Sequence, residues 1–173
     1  MVDKNIIEEA TEEYYSLISS FNSIEIATNN SDGSPEVSYS PAIIDGEKNF
    51  YIYVSELSKH TENFLKSKVA CIMLIEDENL SDSIFARKRI TFQCNTTSIE
   101  RSSDEWNRLF ERFESKFGPI MKQLQKMKDF HLIKLSPSFG RLVYGFGKAF
   151  DIEGKNLDTI AHVKGFNDKG HKM

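Results

Sequence analysis

With 173 residues, 39% of them hydrophobic and 12% aromatic, the chain can build one globular domain with a Phe-rich core, or a small domain completed by a subunit interface, and is too apolar for a disordered segment. A formal charge of -4 argues against nonspecific nucleic-acid binding, which depends on cationic contacts to phosphate, while leaving room for a local basic pocket. No apolar run approaches the roughly 20 residues of a membrane span, and acidic residues stand where a signal peptide would be apolar, so a cytoplasmic protein without export is expected.

From the amino terminus, Ile6, Ile7, Ala10, Tyr14, Leu17 and Ile18 recur at three- and four-residue spacings, with Glu8, Glu9, Glu12 and Glu13 mostly off that stripe. The pattern predicts an amphipathic helix over 5–20 that packs on a sheet, because its acidic face would be repelled by anionic lipid. Short strands follow at 23–28, 36–44 and 50–54, separated by Asp32-Gly33 and Asp45-Gly46 turns, which argues for an antiparallel meander. A short helix is expected within 55–66, with Leu57, Thr61, Phe64 and Leu65 inward. The apolar run 69–75 reads as a strand covered on both faces. Cys71 in that run, and Cys94 in the strand that begins at Arg87, read as buried free thiols of a reducing compartment.

Ser102 and Glu105 form a capping-box pattern ahead of Trp106, Leu109, Phe110, Phe113 and Phe117, the clearest helix of the chain. Gly118 is suited to end it and Pro119 to open another, with Ile120, Leu124 and Met127 as its apolar stripe. Residues 130–135 read as a strand, and 139–152 as one long strand. Leu142, Tyr144, Phe146, Phe150 and Ile152 share its bulky face, whereas Val143, Gly145, Gly147 and Ala149 make the other nearly bare. Such a face marks a bulge, a barrel corner, a close approach by another backbone, or the approach of a flat ligand. Lys148 interrupts the bulky face and belongs at a wet rim. After Asp151 the chain turns polar and glycine-bearing, a peripheral tail in which Leu157, Ile160 and Val163 could anchor a short helix. Seven or so strands interrupted by short helices favour a mainly β, partly open barrel over a sandwich.

The histidines, His60, His131, His162 and His171, fall in no zinc spacing, and the chain has neither CxxC nor HExxH. His131 alternates with Ile133 and Leu135 and reads as a sheet residue. His60 lies on a helix face, either without a chemical role or bordering a ligand pocket with Asn63. His171, in Lys169-Gly-His-Lys-Met173, stands beyond the last core residue, where it is either solvated or free to reach a metal or a partner. The run Arg87-Lys88-Arg89 is either a wet rim or a cradle for phosphate or carboxylate. Spacing alone specifies no enzyme.

Five segments carry more than periodicity: Tyr39-Ser-Pro41; Tyr53-Val-Ser-Glu-Leu-Ser-Lys-His60 with Asn63; Ile75-Glu-Asp-Glu78; Ile84-Phe-Ala-Arg-Lys-Arg-Ile-Thr-Phe92; and Gly140-Arg-Leu-Val-Tyr-Gly-Phe-Gly-Lys-Ala-Phe150. Together with the tail Gly170-His-Lys-Met173 they closely resemble the haem-utilisation branch of the pyridoxamine-phosphate-oxidase-like, FMN-binding split-barrel family. The resemblance implies a homodimeric split barrel over residues 1–153, with the amino-terminal helix, and a tail over 154–173 that carries the candidate ligand. It implies His171 as axial ligand to haem iron and Asp129 as its hydrogen-bond partner from the other subunit, an arrangement that fixes the imidazole tautomer and raises electron donation to iron. Arg87, Lys88 and Arg89 become candidates for the haem propionates, and His60 and Asn63 candidates for the border of the site. The implied activity is oxidative opening of haem with iron release, driven by oxygen and an external electron donor. Two alternatives stand beside it, haem storage or delivery without turnover, and FMN-dependent oxidation in the same barrel.

Overall fold

Residues 4–163 are described by the structure, a computed structural model. The element order is α1 (Lys4–Ser20), β1 (Ser23–Asn29), β2 (Pro35–Ile44), β3 (Phe50–Ser55), α2 (Lys59–Lys66), β4 (Val69–Ile75), β5 (Arg89–Ile99), α3 (Asp104–Phe117), α4 (Ile120–Gln125), β6 (Phe130–Val143), β7 (Ala149–Glu153) and β8 (Thr159–His162). The strands follow the order β3-β2-β1-β4-β5-β6-β7-β8, and β3 also pairs with β6, which closes the first six into a split barrel. The chain divides into two compact units, one from residues 22–72 and 94–137, the other from the remaining segments.

In the first unit the meander is as its turns predict. β1 and β2 pair antiparallel from Ser23 opposite Pro41 to Asn29 opposite Pro35, and Gly33 takes the positive φ of their turn. Asp45-Gly46 works differently: Lys48 carries the positive φ, while the Asp45 carboxylate accepts the backbone N–H groups of Glu47 and Asn49 and the Tyr51 hydroxyl. β3 is buried on both faces, because its neighbours sort into two sets. Ala42, Ile52 and Ile133 lie in register, as do Ile44, Phe50 and Leu135, on one face. On the other, Ile43, Tyr51, Tyr53 and Leu132 pack with Trp106, Leu109, Phe110 and Phe113 of α3 and with Met121.

Three helical details differ from expectation. The α3 cap is Ser103, whose Oγ accepts the Trp106 N–H at 3.1 Å, and Ser102 adopts φ 67; the cap therefore lies one residue later than the Ser102/Glu105 pattern placed it. α2 begins only at Lys59, so Leu57 precedes the helix and is 95% exposed, Leu65 is exposed, and His60, Thr61, Asn63 and Phe64 form the buried face. In α4 the buried residue is Met121 and Ile120 is exposed, while Met127, also exposed, lies beyond the helix end at Gln125. β4 also departs from the reading of two covered faces: Ile72 and Leu74 are buried while Val69 is exposed and Cys71 half-buried.

In the second unit α1 buries Ala10, Tyr14 and Leu17, the middle of its predicted stripe. The long strand read over 139–152 is a hairpin. β6 runs from Phe130 through Pro137 to Val143, and β7 starts at Ala149. Between them Tyr144 N–H donates to the Lys148 carbonyl, Lys148 N–H to the Gly145 carbonyl, and Gly147 takes φ 71. The hairpin returns the chain on the same face, with Leu142 opposite Phe150 and Gly140 opposite Ile152, so four of the five bulky residues are buried and Phe146 is left exposed at the tip. Pro137 is tolerated because it falls between the β3 register, which ends at Leu135, and the β7 register, which begins at Gly140. Close approach does explain one glycine: a Cβ on Gly140 would meet the Phe92 ring at 2.8 Å. Instead of the expected helix, Ile160 joins β8, paired to β7, and Leu157 is buried.

Candidate functional site

Asp129 lies just before β6, where the chain leaves the loop after α4. Its carbonyl accepts the Glu56 N–H at 2.9 Å, and its Oδ2 accepts the Ser55 hydroxyl at 2.7 Å. Ser55 ends β3 opposite Phe130. Its Oγ accepts the Leu57 N–H at 3.1 Å, and its carbonyl accepts Thr61 Oγ1 at 2.7 Å. A strand end, a helix start and the Asp129 carboxylate are thus tied at one serine.

The same loop is fastened by Arg101, which sequence periodicity did not single out. Its guanidinium donates from Nη1 to the Gln125 carbonyl and from Nη2 to the Met127 and Phe130 carbonyls and the Tyr53 hydroxyl, while lying 5.6 Å from the Trp106 ring centroid. A planar fork suits several converging acceptors. Burial holds the Tyr53 phenol above its ordinary range, and the adjacent Arg101 charge acts in the other direction. A cavity of about 410 Å³ is lined by Arg101, Trp106, His131 and the two sequence neighbours of Asp129, Lys128 and Phe130. His131 Nε2 lies 2.8 Å from Glu56 Oε1, so the sheet residue expected there also meets a carboxylate.

On α2, His60 is 3% exposed, with its ring 5.7 Å from that of Phe64, and its buried Nε2 has no hydrogen-bond partner among the described residues. Burial depresses its pKa, with Glu36 opposing that effect more weakly. Asn63 donates from Nδ2 to Thr28 Oγ1 at 2.9 Å and to Asn30 Oδ1 at 3.1 Å, both within its own unit. Both amide protons therefore fasten α2 to the end of β1. The structure brings α2 and Asp129 together through Ser55 and Thr61.

The basic run belongs to the other unit. Arg87 donates from Nε and Nη2 to the Glu76 carbonyl and from Nη1 to Glu78 Oε1. Lys88 Nζ meets both oxygens of Glu13, and Arg89 Nη1 donates to the Arg87 carbonyl. Lys148, read as a wet rim residue, pairs with Glu9 at 2.6 Å. His162 Nε2 sits 3.0 Å from the Gly147 carbonyl. His171 lies outside the described residues. Among the described residues no cluster of three or more His, Cys, Asp or Glu could hold a metal, and no helix is long and apolar enough to cross a membrane.

Known proteins share this architecture. The family described as pyridoxamine 5'-phosphate oxidase matches residues 10–144. A curated relative, the heme oxygenase HutZ of Vibrio cholerae serotype O1, is 32% identical over 149 residues, 86% of this chain and 82% of its own. A crystal structure of HutZ from Vibrio cholerae, described there as a heme storage protein, superposes with a TM-score of 0.70 at 31% identity, covering 73% of this chain and 89% of that one. Campylobacter jejuni ChuZ superposes with a TM-score of 0.81 at 33% identity, covering 99% of this chain and 76% of that one. The chain belongs to the pyridoxamine 5'-phosphate oxidase split-barrel family, in its haem-utilisation branch.

Proposed function

We propose that this chain is a cytoplasmic haem-binding protein of haem iron utilisation that opens the haem macrocycle with oxygen and an external electron donor and so releases iron. The observation that carries the reading is the 32% identity, over 86% of the chain, with a heme oxygenase. The residues fit the substrate on one point of geometry. Asp129 is half-buried, with Oδ2 committed to Ser55 and no described side chain donating to Oδ1, which leaves an anionic acceptor for an imidazole N–H. Haem supplies the oxygen chemistry; the protein orients it and fixes the ligand's tautomer. In this reading His171 binds the iron and Asp129 of the partner subunit receives its second N–H, so two copies complete each site. Val37 and Tyr39, 72% and 69% exposed on β2, and Val69 on β4 supply apolar outer surface suited to a second copy. Sedimentation of a dimer at micromolar protein supports that assembly, and a monomer contradicts it.

Of the basic run, Arg89 is the better propionate candidate, since Arg87 and Lys88 are ion-paired to Glu78 and Glu13 whereas, among the described residues, Arg89 spends only Nη1, on the Arg87 carbonyl. Storage without turnover is the second reading, favoured by the description of a crystallised HutZ as a heme storage protein. The two separate in one experiment. Anaerobic reconstitution with haem, followed by oxygen and a reductant, should bleach the Soret band and deliver chelatable iron; an intact Soret band with no iron released establishes storage.

A further inference from the structure

Among the described residues Ser55 is the side chain that donates to the Asp129 carboxylate, at 2.7 Å. An ionised carboxylate accepts only, so the Ser55 proton goes to Oδ2, while the Leu57 N–H fills a lone pair of the same hydroxyl. That second bond, from residue i+2 back to the serine oxygen, fixes the Ser55 rotamer before any ligand arrives. The backbone on both sides is fixed independently. Ser55 pairs with Phe130 in the β3–β6 register, Glu56 N–H donates to the Asp129 carbonyl, and Thr61 Oγ1 donates to the Ser55 carbonyl. The hydroxyl is therefore not needed to hold β3 against β6. Its remaining partner is the Asp129 carboxylate.

We propose that Ser55 is the positioning residue of Asp129: it occupies Oδ2 and turns Oδ1 toward the iron-bound imidazole of the other subunit. The proposal rests on the reading of Asp129 as partner of the axial His171. A carboxylate held at one oxygen presents the other in a single orientation, whereas a carboxylate released from its donor rotates about χ1 and χ2 and loses alignment with the imidazole N–H. Partners one step removed from a metal ligand commonly govern affinity or activity by about 10- to 100-fold. The Ser55 hydroxyl is one step further out, and its loss should cost about 10-fold in turnover, at the low end of that range.

The test compares wild type, Ser55→Ala, Ser55→Thr, Asp129→Asn and the Ser55→Ala/Asp129→Asn double variant in the full-length chain. Each is reconstituted with haem and reduced, and the iron–histidine stretching frequency is read by resonance Raman. Ser55→Ala should move the frequency most of the way toward the Asp129→Asn value, and Ser55→Thr, which keeps the hydroxyl, should restore it. The double variant should match Asp129→Asn alone. In the ligand-free protein, three-bond couplings should show one Asp129 χ1 rotamer in wild type and averaged rotamers in Ser55→Ala, at unchanged thermal stability. If Asp129→Asn shifts the frequency and Ser55→Ala does not, the role of Ser55 is wrong while that of Asp129 stands. If Asp129→Asn leaves the frequency where it was, both fall together. A single Asp129 rotamer in ligand-free Ser55→Ala overturns the positioning role without reference to haem.

Discussion

Lys88 Nζ lies 2.7 Å from each carboxylate oxygen of Glu13, so a cation that the sequence left as either a wet rim or an anion contact is paired to α1. The bonded carboxylate raises the Lys88 pKa above its ordinary value, against a smaller opposing effect of burial. A raised lysine pKa adds stability that is full below the unfolded value, about 10.4, and fades as pH climbs through the folded value. Because the pair is partly exposed, Lys88→Met should cost about 0.5–1 kcal/mol near neutral pH. That difference from wild type should shrink in urea titrations above about pH 10, and haem affinity should not change. Weakened haem binding with unaltered stability would return Lys88 to the ligand site.

Gly140→Ala tests the close approach in the second unit. The added Cβ would meet two carbons of the Phe92 ring at 2.8 Å and Ile152 Cβ at 3.2 Å. Both neighbours are fully buried, so overpacking should cost about 1–3 kcal/mol by urea denaturation. Phe92→Leu in the same chain should recover part of the loss. Wild-type stability for Gly140→Ala alone would show that the ring yields.

Arg101→Lys keeps the charge and loses the fork. One ammonium cannot reach the Gln125, Met127 and Phe130 carbonyls and the Tyr53 hydroxyl together. Hydrogen bonds to a charged group are worth about 1.5–3 kcal/mol each, and the loop from 125 to 130 should open more often. Faster amide exchange at Lys126 and Met127, which donate to Gln123 and Leu124 carbonyls, is the expected result. Unchanged protection there would mean that β6 alone holds the loop.

His60 should make stability fall in mild acid. Its pKa is depressed by burial, so below about pH 6.5 the unfolded chain takes up a proton that the folded chain resists. Stability is therefore full above that pH and declines as pH drops toward the folded value. His60→Leu should flatten this part of the pH profile. An equally steep profile in the variant would assign the acid sensitivity to another group.

Elements that repeat over several turns were legible in the sequence, and those decided by one residue were not. Ala10, Tyr14 and Leu17, or Trp106, Leu109, Phe110 and Phe113, recur often enough for periodicity to outweigh a misplaced cap. The 144–148 turn was hidden because a tight hairpin preserves facial alternation, so Leu142 and Phe150 fit one strand as well as two. Leu57 was misassigned because an apolar residue just before a helix looks like its first inward position. Four-residue β8 is too short for a pattern. In the candidate site, Asp129 and His171 came from resemblance. Ser55 and Arg101 act through a side-chain oxygen and a set of backbone carbonyls, partners that leave no spacing to read. A serine at a strand exit two residues before Leu57 was the available signal for the turn, but nothing in it pointed 74 residues ahead to Asp129.

The most direct measurement is the axial ligation of ferric haem bound to the full-length chain, read by electron paramagnetic resonance and resonance Raman in wild type and His171→Ala. The account predicts a saturable Soret band with a histidine-ligated iron in wild type, and loss of that histidine signature in His171→Ala. An identical histidine signature in both proteins, or no saturable Soret band in wild type, would contradict it.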